Sequence, residues 1–236
     1  MPYRLLTEFE NLFAGKIYRH RSSTQGDFVA THLYEDLAAL PRQGKLLTRI
    51  QAAERVLATT NMRRGIMARR GDGTFGEPVP NTPSISDPGF LVARGKLATV
   101  EIGVEMKILN KAMVKQIDRV IGDLQKQVDH FRRGGGDPIS VAVVGINQAP
   151  YTIGFEGERQ IRTDGRGNRH PYQEAQEAER RLIQHAKPYF DEFIILRYSA
   201  TNDPPYPFDW ANLQDTQQDY GAALVRISAN YDRRFP

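Results

Sequence analysis

The residues best suited to chemistry share the odd-numbered positions of the stretch VEIGVEMKIL, residues 100–109. Because alternate residues of a strand share one face, we expect Glu101, Glu105 and Lys107 on the same side of a strand. The other side takes the apolar residues Ile102, Val104, Met106 and Ile108. Two carboxylates and an ammonium on one face are compatible with a solvated outer surface, or with a site that binds a cation.

A further carboxylate favours the second explanation. Asp87, in the stretch SDPGF, stands eighteen residues before Glu105. A hairpin is predicted from residues 90–95 and 97–109, and it would bring Asp87 to the same edge. Neighbouring carboxylates resist joint ionisation unless a cation lies between them. Mg²⁺ suits such a site because it accepts carboxylates together with water and phosphate, and Lys107 would orient or deprotonate a water.

These residues resemble a known motif. Asp87, followed by Glu105-Met106-Lys107, looks like the D…(D/E)-x-K core of the PD-(D/E)xK nuclease superfamily, which includes many type II restriction endonucleases. The resemblance implies a fold with a helix, a three-stranded antiparallel unit, a second helix and a further strand. The same order is predicted here from about residue 27 to 147.

The resemblance also implies a role for each residue. Asp87 and Glu105 would bind Mg²⁺, for which Mn²⁺ can substitute, and the Met106 carbonyl would be a further ligand. Lys107 would assist the attacking water. The motif departs from the superfamily pattern in one respect, since a proline follows Asp87 instead of preceding it. Asp72 is therefore the alternative first carboxylate.

Accessory residues are also implied by the resemblance. Some members add a glutamate from the first helix, a position open to Glu35, although a solvated helix face also explains this residue. Others carry a glutamine or a basic residue early in the helix after the lysine, where Lys115 and Gln116 stand. Glu101 shares a face with Glu105 but lies two pleats away along the strand, so we do not expect it to be a ligand.

The apolar periodicity predicts the remaining elements. Helices are expected at residues 3–18, 27–40, 46–57, 112–133 and 172–190. Besides the hairpin, strands are expected at residues 139–147, 192–200 and 222–228. The two long apolar strands are each preceded by a helix, so right-handed crossovers would make them parallel. The prediction is an α/β fold with a restriction-endonuclease-like core, in which helices flank a central mixed β-sheet.

The domain prediction is a single nuclease domain over residues 1–236. Its core spans about residues 27–200, with an N-terminal helical segment and a C-terminal tail as additions. No apolar run in the sequence is long enough to span a bilayer, and no signal-peptide pattern is present. There are no cysteines, which excludes disulfides, thiolate zinc sites and cysteine nucleophiles. This composition fits a cytoplasmic protein without a membrane partner.

The charge pattern points to a phosphate-bearing partner. The formal net charge is +4, and arginines cluster in glycine-rich stretches that are expected to be loops. A guanidinium group can donate two parallel hydrogen bonds to one phosphate. The candidate DNA-binding residues are therefore Arg63, Arg64, Arg69 and Arg70.

The sequence therefore predicts an Mg²⁺-dependent endonuclease for double-stranded DNA, in the role of a type II restriction enzyme. A homodimer is expected, because two-fold symmetry matches a palindromic site. A repair or phage nuclease of the same superfamily is a close alternative. A second alternative is a non-catalytic nucleic-acid-binding or interaction module on the same scaffold. In that case Glu105 and Lys107 would be an ordinary surface ion pair, which contributes little.

Overall fold

A seven-stranded mixed sheet is the centre of the fold in the computed structural model, which describes residues 3–19, 24–41, 44–58, 71–133, 136–156 and 158–235. The strands of the chain are β1 (Val56–Ala58), β2 (Gly73–Gly76), β3 (Arg94–Gly95), β4 (Ile102–Leu109), β5 (Ile139–Asn147), β6 (Ile153–Glu156), β7 (Arg159–Arg162), β8 (Glu192–Ala200) and β9 (Phe208–Trp210). The order across the large sheet is β3-β1-β2-β4-β5-β8-β9, and β6 and β7 pair as a separate hairpin. A mixed α/β fold was expected and is confirmed.

Within the described ranges, six helices flank this sheet. They are α1 (Arg4–Glu10), α2 (Thr24–Ala38), α3 (Lys45–Gln51), α4 (Met113–Arg132), α5 (Pro171–His185) and α6 (Leu213–Arg234). The two helices with the clearest apolar periodicity, α4 and α5, form at the expected positions. None of the helices in the described ranges is both long enough and apolar enough to cross a membrane.

The parallel centre of the sheet follows from the two helical crossovers. β4 pairs with β5 in parallel over eight residues, from Ile102 opposite Ile139 to Leu109 opposite Ile146. β5 pairs with β8 in the same direction. All nine residues of β5 are buried, as expected for a strand that helices cover on both faces.

Two apolar cores lie on opposite faces of the sheet. Helices α1, α2, α3 and α6 pack on one face, against residues such as Val104 and Val143. Helices α4 and α5 pack on the other face, against Leu109 and Val144. Since alternate residues point to opposite faces, the odd-numbered residues of β4, including Glu105 and Lys107, lie on the side that α4 covers.

The hairpin that was predicted between residues 90–95 and 97–109 does not form. β3 contains only two residues and pairs in parallel with β1, whereas β4 pairs antiparallel with β2. The apolar stretch before Arg94 was expected to extend a strand, but Val92 N–H instead donates to a buried side chain, Glu35. The antiparallel partner of β4 is the glycine-rich β2, which local strand propensity does not favour.

Two further expectations are corrected. The helix predicted over residues 46–57 ends at Gln51, and the chain continues into β1. Residues 222–228, which were expected to be a strand, belong to α6. The buried residues Tyr220, Leu224, Ile227 and Tyr231 of α6 recur at helical spacing, so burial on one helical face outweighs the β-branched character of this segment.

Candidate active site

Asp72 is the first carboxylate that the fold brings to the Glu-Met-Lys stretch. It directly precedes β2, and the pairing of Gly73 with Val104 continues to place Asp72 opposite Glu105. The backbone N–H of Met106 donates a hydrogen bond of 2.7 Å to Asp72 Oδ2. The alternative considered from the sequence therefore occupies the position that was expected of Asp87.

Glu105 and Lys107 form an ion pair on the face of β4 that α4 covers. Only 7% of Glu105 is exposed, so the competing explanation, a solvated strand face, is wrong. Phe131 of α4 lies directly against the same face, because a Cβ on Gly103 would approach its ring to about 2.6 Å. A buried carboxylate requires a positive partner or hydrogen bonds, and Lys107 supplies this charge.

The charges of the three side chains act on one another. Burial and the neighbouring Glu105 carboxylate raise the pKa of Asp72 from 3.8 to about 7. Burial disfavours the charged form of Lys107, but the Glu105 and Asp72 carboxylates prevail and raise its pKa above the ordinary value. Near neutral pH the ammonium is therefore fully charged, while Asp72 is divided between its acid and carboxylate forms. Such a pair of carboxylates attracts a further cation.

Asp87 is not part of this group. Its carboxylate forms a 3.1 Å ion pair with Arg94 of β3. In the sheet, β1 and β2 both lie between β3 and β4, so the backbones of Arg94 and Glu105 are separated by three strand spacings, about 14 Å. The hairpin that was expected to bring Asp87 to Glu105 is not formed, and Asp87 lies at the far edge of the sheet.

Glu35 of α2 also has a different place from the one expected. Its side chain is 1% exposed and accepts hydrogen bonds from the backbone N–H groups of Leu91 and Val92. Arg4 lies 3.5 Å from the same carboxylate. The interpretation as a solvated helix face is therefore wrong, since Glu35 is buried and holds the segment before β3. The role of an accessory metal ligand stays a prediction.

The first turn of α2 contributes the carboxylate that sequence reasoning missed. Asp27 is close enough to raise the pKa of Asp72 by its charge, and a Cβ on the neighbouring Gly26 would lie 3.2 Å from Asp72 Oδ2. Asp27, Asp72, Lys16 and Arg94 line one cavity of about 510 Å³. The only signal in the sequence was an aspartate in the first turn of a predicted helix, a position that also has a common structural use.

The remaining candidates lie at other places. Glu101 accepts hydrogen bonds from Arg55 and from the Tyr231 hydroxyl. Gln116 accepts a hydrogen bond from Arg119 and lines a separate cavity, together with Lys115. The four candidate DNA-binding arginines, at positions 63, 64, 69 and 70, lie outside the described residues.

The donor set fits a hard divalent cation in part. Asp72 and Glu105 offer carboxylate oxygens, and the Met106 carbonyl is adjacent in the chain. Within the described ranges, no group of three or more His, Cys, Asp or Glu side chains is arranged to hold a metal ion. Mg²⁺ often binds through only one or two carboxylates and fills its other positions with water and phosphate. Asp72 and Glu105 lie opposite each other in the paired strands, so these two carboxylates are the side chains that would hold such a cation.

Comparison of the chain with protein-family models, with curated proteins and with solved structures finds no match. The resemblance to the nuclease superfamily therefore rests on the motif residues and on the order of the elements.

Proposed function

We propose that the chain is an Mg²⁺-dependent endonuclease that hydrolyses phosphodiester bonds in double-stranded DNA, with its centre at Asp72, Glu105 and Lys107. One observation carries the proposal. Asp72 is distant from the Glu-Met-Lys stretch in sequence, yet it accepts a hydrogen bond from the Met106 N–H and faces Glu105. An aspartate, a glutamate and a lysine thereby meet in the combination that the motif requires.

Each residue has a role that follows from its charge. Asp72, Glu105 and the Met106 carbonyl would hold the metal, which when bound polarises a phosphoryl oxygen and lowers the pKa of water. Because the pKa of Lys107 is raised, its ammonium is a hydrogen-bond donor and not a base. We infer that Lys107 orients the attacking water and stabilises negative charge that develops on the phosphate.

The element order supports the same proposal. Helix α2, the antiparallel strands β1, β2 and β4, helix α4 and strand β5 follow one another as the resemblance implies. The short helix α3, between α2 and β1, and strand β3, at the edge of the sheet, are additions to this order. The arginines at positions 63, 64, 69 and 70 precede Asp72 closely in the chain, which suits contacts with DNA phosphates near the centre. A homodimer and a restriction role remain part of the proposal.

A non-catalytic module is the second candidate, and the ion pair between Lys107 and Glu105 favours it. In this interpretation Lys107 is the permanent counter-charge of two buried carboxylates, and no metal is needed. The two candidates differ in metal binding, since a true centre gains stability from Mg²⁺ by mass action.

The testing experiment is cleavage of mixed plasmid and phage DNA, with Mg²⁺ and with EDTA. Wild type is compared with Lys107→Ala, Asp72→Asn and Asp87→Asn. We expect Mg²⁺-dependent cleavage by wild type and by Asp87→Asn. The Lys107→Ala and Asp72→Asn variants are expected to lose at least about 10²-fold in rate, the scale for removal of one stabilising group.

The outcomes separate the hypotheses. Discrete fragments support a restriction enzyme, whereas a smear keeps the chemistry and removes the restriction role. Loss of cleavage in Asp87→Asn together with full activity in Asp72→Asn would show that Asp87, and not Asp72, is the first carboxylate. Absence of cleavage by wild type on a broad DNA panel would favour the non-catalytic module.

A further inference from the structure

A second cavity, of about 610 Å³, lies between the N-terminus of α4 and the loop that follows β7. Its volume is in the range of small-molecule sites. Among the described residues, five cationic side chains and a single carboxylate, Glu174, line it. The cationic residues are Lys111, Lys115, Arg119, Arg166 and Arg169. None of the described residues of the candidate active site is among its walls.

The carboxylate in the wall is already engaged. Glu174 is 5% exposed and accepts a 2.9 Å hydrogen bond from the backbone N–H of Met113, the first residue of α4. It therefore fixes the start of the helix. Its single negative charge is outweighed by the five cationic side chains. The positive end of the α4 dipole adds to the positive potential.

Four of these cations, Lys115, Arg119, Arg166 and Arg169, differ in their partners from several arginines elsewhere in the fold. Arg180, Arg197 and Arg226 each form an ion pair with a glutamate. In the part of the chain that the structure describes, Lys115, Arg166 and Arg169 form no ion pair with a carboxylate. Arg119 donates to the neutral Gln116. Mutual repulsion of such a group is relieved when an anion binds.

One of the cations lies across the hairpin formed by β6 and β7. The Lys111 side chain occupies the space that a Cβ on Gly154 of β6 would take. The loop after β7 is held by Thr163, which accepts the Thr152 N–H at 3.0 Å and contacts His170. The fold thus positions the loop that carries Arg166 and Arg169.

We propose that this cavity is a binding site for a phosphate group carried by a nucleotide or a nucleic acid strand. Lysine and arginine side chains around a helix N-terminus are the groups that recognise phosphate. The site does not depend on the chemistry at Glu105. The cavity is nevertheless close to the candidate active site, because the four steps along the chain from Lys107 to Lys111 span at most about 14 Å.

The test uses binding in EDTA, so that cleavage plays no part. Anisotropy is measured with a fluorescent 20-base-pair duplex over a range of salt concentrations, and calorimetry is performed with dAMP. The variants are the double change Arg166→Gln with Arg169→Gln, and the single change Lys115→Gln. Lys126→Gln is the matched control, because Lys126 is also exposed on α4 and lies three turns beyond Lys115 on about the same face.

We expect the double variant to bind its phosphate ligand about tenfold more weakly and Lys115→Gln to weaken binding in the same direction, with Lys126→Gln unchanged. If the ligand is a DNA strand, the double variant also lowers the salt slope by about 2. If it is a free nucleotide, dAMP binds and the variant loses it. The proposal is overturned if both probes bind the variants as they bind wild type, or if neither probe binds wild type.

These results are independent of the nuclease proposal. Binding that depends on Arg166 and Arg169 in a protein that never cuts DNA would leave the phosphate site in place and reject the nuclease. Cleavage by wild type with unchanged binding in the variants would do the reverse. Near-UV circular dichroism of each variant shows whether the fold is intact.

Discussion

Buried carboxylates in this fold differ in what faces them. Glu35 accepts two backbone N–H groups, and Glu101 is held by Arg55 and Tyr231. Both have partners that complete their hydrogen bonding, so they have structural roles. Asp72 accepts one backbone N–H and faces another carboxylate, Glu105. Incomplete compensation of this kind is common at functional sites, which agrees with the role proposed for Asp72.

The raised pKa of Asp72 predicts a pH dependence of stability. Its pKa is about 7 in the folded protein, compared with an ordinary value of 3.8, so the folded state holds this proton more tightly. The contribution is fully present below about pH 4 and is lost as pH rises through 7. We expect Asp72→Asn to remove this loss of stability at rising pH, because asparagine does not titrate. Between pH 5 and pH 8, wild type should lose about 1–3 kcal/mol more unfolding free energy than the variant.

Urea unfolding at a series of pH values measures this difference. Met106 N–H keeps an oxygen acceptor in Asp72→Asn, so the variant is matched in shape. Parallel stability curves for wild type and variant would contradict the electrostatic account of the site.

Glu35 provides a prediction at the same scale. Replacing Glu35 by Ala leaves the Leu91 and Val92 N–H groups without their acceptor, and we expect a loss of about 2 kcal/mol in unfolding free energy. Glu35→Gln retains an oxygen acceptor and should lose less. Thermal unfolding with and without Mg²⁺ distinguishes this role from metal binding, since a structural residue changes the baseline Tm but not the Mg²⁺-induced shift. Loss of that shift in Glu35→Gln would return Glu35 to the metal site.

At the scale of elements, burial decides between helix and strand where local propensity is divided. The segment from Ala222 to Ser228 contains β-branched residues at alternate positions, Val225 and Ile227. In α6 these two point to opposite sides, since Ile227 is fully buried and Val225 is 47% exposed. The Asn212 side chain caps this helix by accepting the Asp215 N–H.

The helical assignment predicts unequal effects of two matched changes. Ile227→Ala should lower the unfolding free energy by about 2–4 kcal/mol, because it leaves a cavity in the core. Val225→Ala should change it by about 0.5 kcal/mol or less. Denaturant titration of both variants checks the result. In a strand the two residues would share a face and the two losses would be similar.

At the scale of the whole molecule, the candidate active site is assembled by the sheet and closed by a helix. The pairing of β2 with β4 brings Asp72 to Glu105, and α4 covers the face on which Glu105 lies. The start of α2 adds the charge of Asp27. Four elements, β2, β4, α4 and α2, therefore have to be in place before the site exists, so binding of a metal there would report on the assembled fold.

This arrangement predicts stabilisation of the whole fold by Mg²⁺. At a concentration a hundredfold above Kd, a single site adds about 2.7 kcal/mol, which for a chain of this size raises Tm by about 5–10 °C. Asp72→Asn and Glu105→Gln should abolish the shift, whereas Asp87→Asn should keep it. Differential scanning fluorimetry with Mg²⁺, and with Ca²⁺ to report binding by a second oxygen-seeking cation, measures this effect. A wild-type protein with no Mg²⁺ response would favour the non-catalytic module.

The sequence by itself determined those parts of the protein whose signals are local. Continuous apolar residues specified β5 and β8, and strong helical periodicity specified α4 and α5. The alternation in VEIGVEMKIL placed Glu105 and Lys107 together, because neighbours two apart in a strand share a face irrespective of what surrounds it.

Tertiary structure alone decided which carboxylate joins that pair. Asp72 and Glu105 are far apart in the chain, and the strand that brings them together is short and rich in glycine, so its identity depends on pairing with β4 and not on propensity. The same applies to the burial of Glu105, which α4 imposes, and to the helix at residues 222–228. In each case the arrangement is stabilised by contacts between segments that are distant in the chain, and the local sequence pattern does not indicate those contacts.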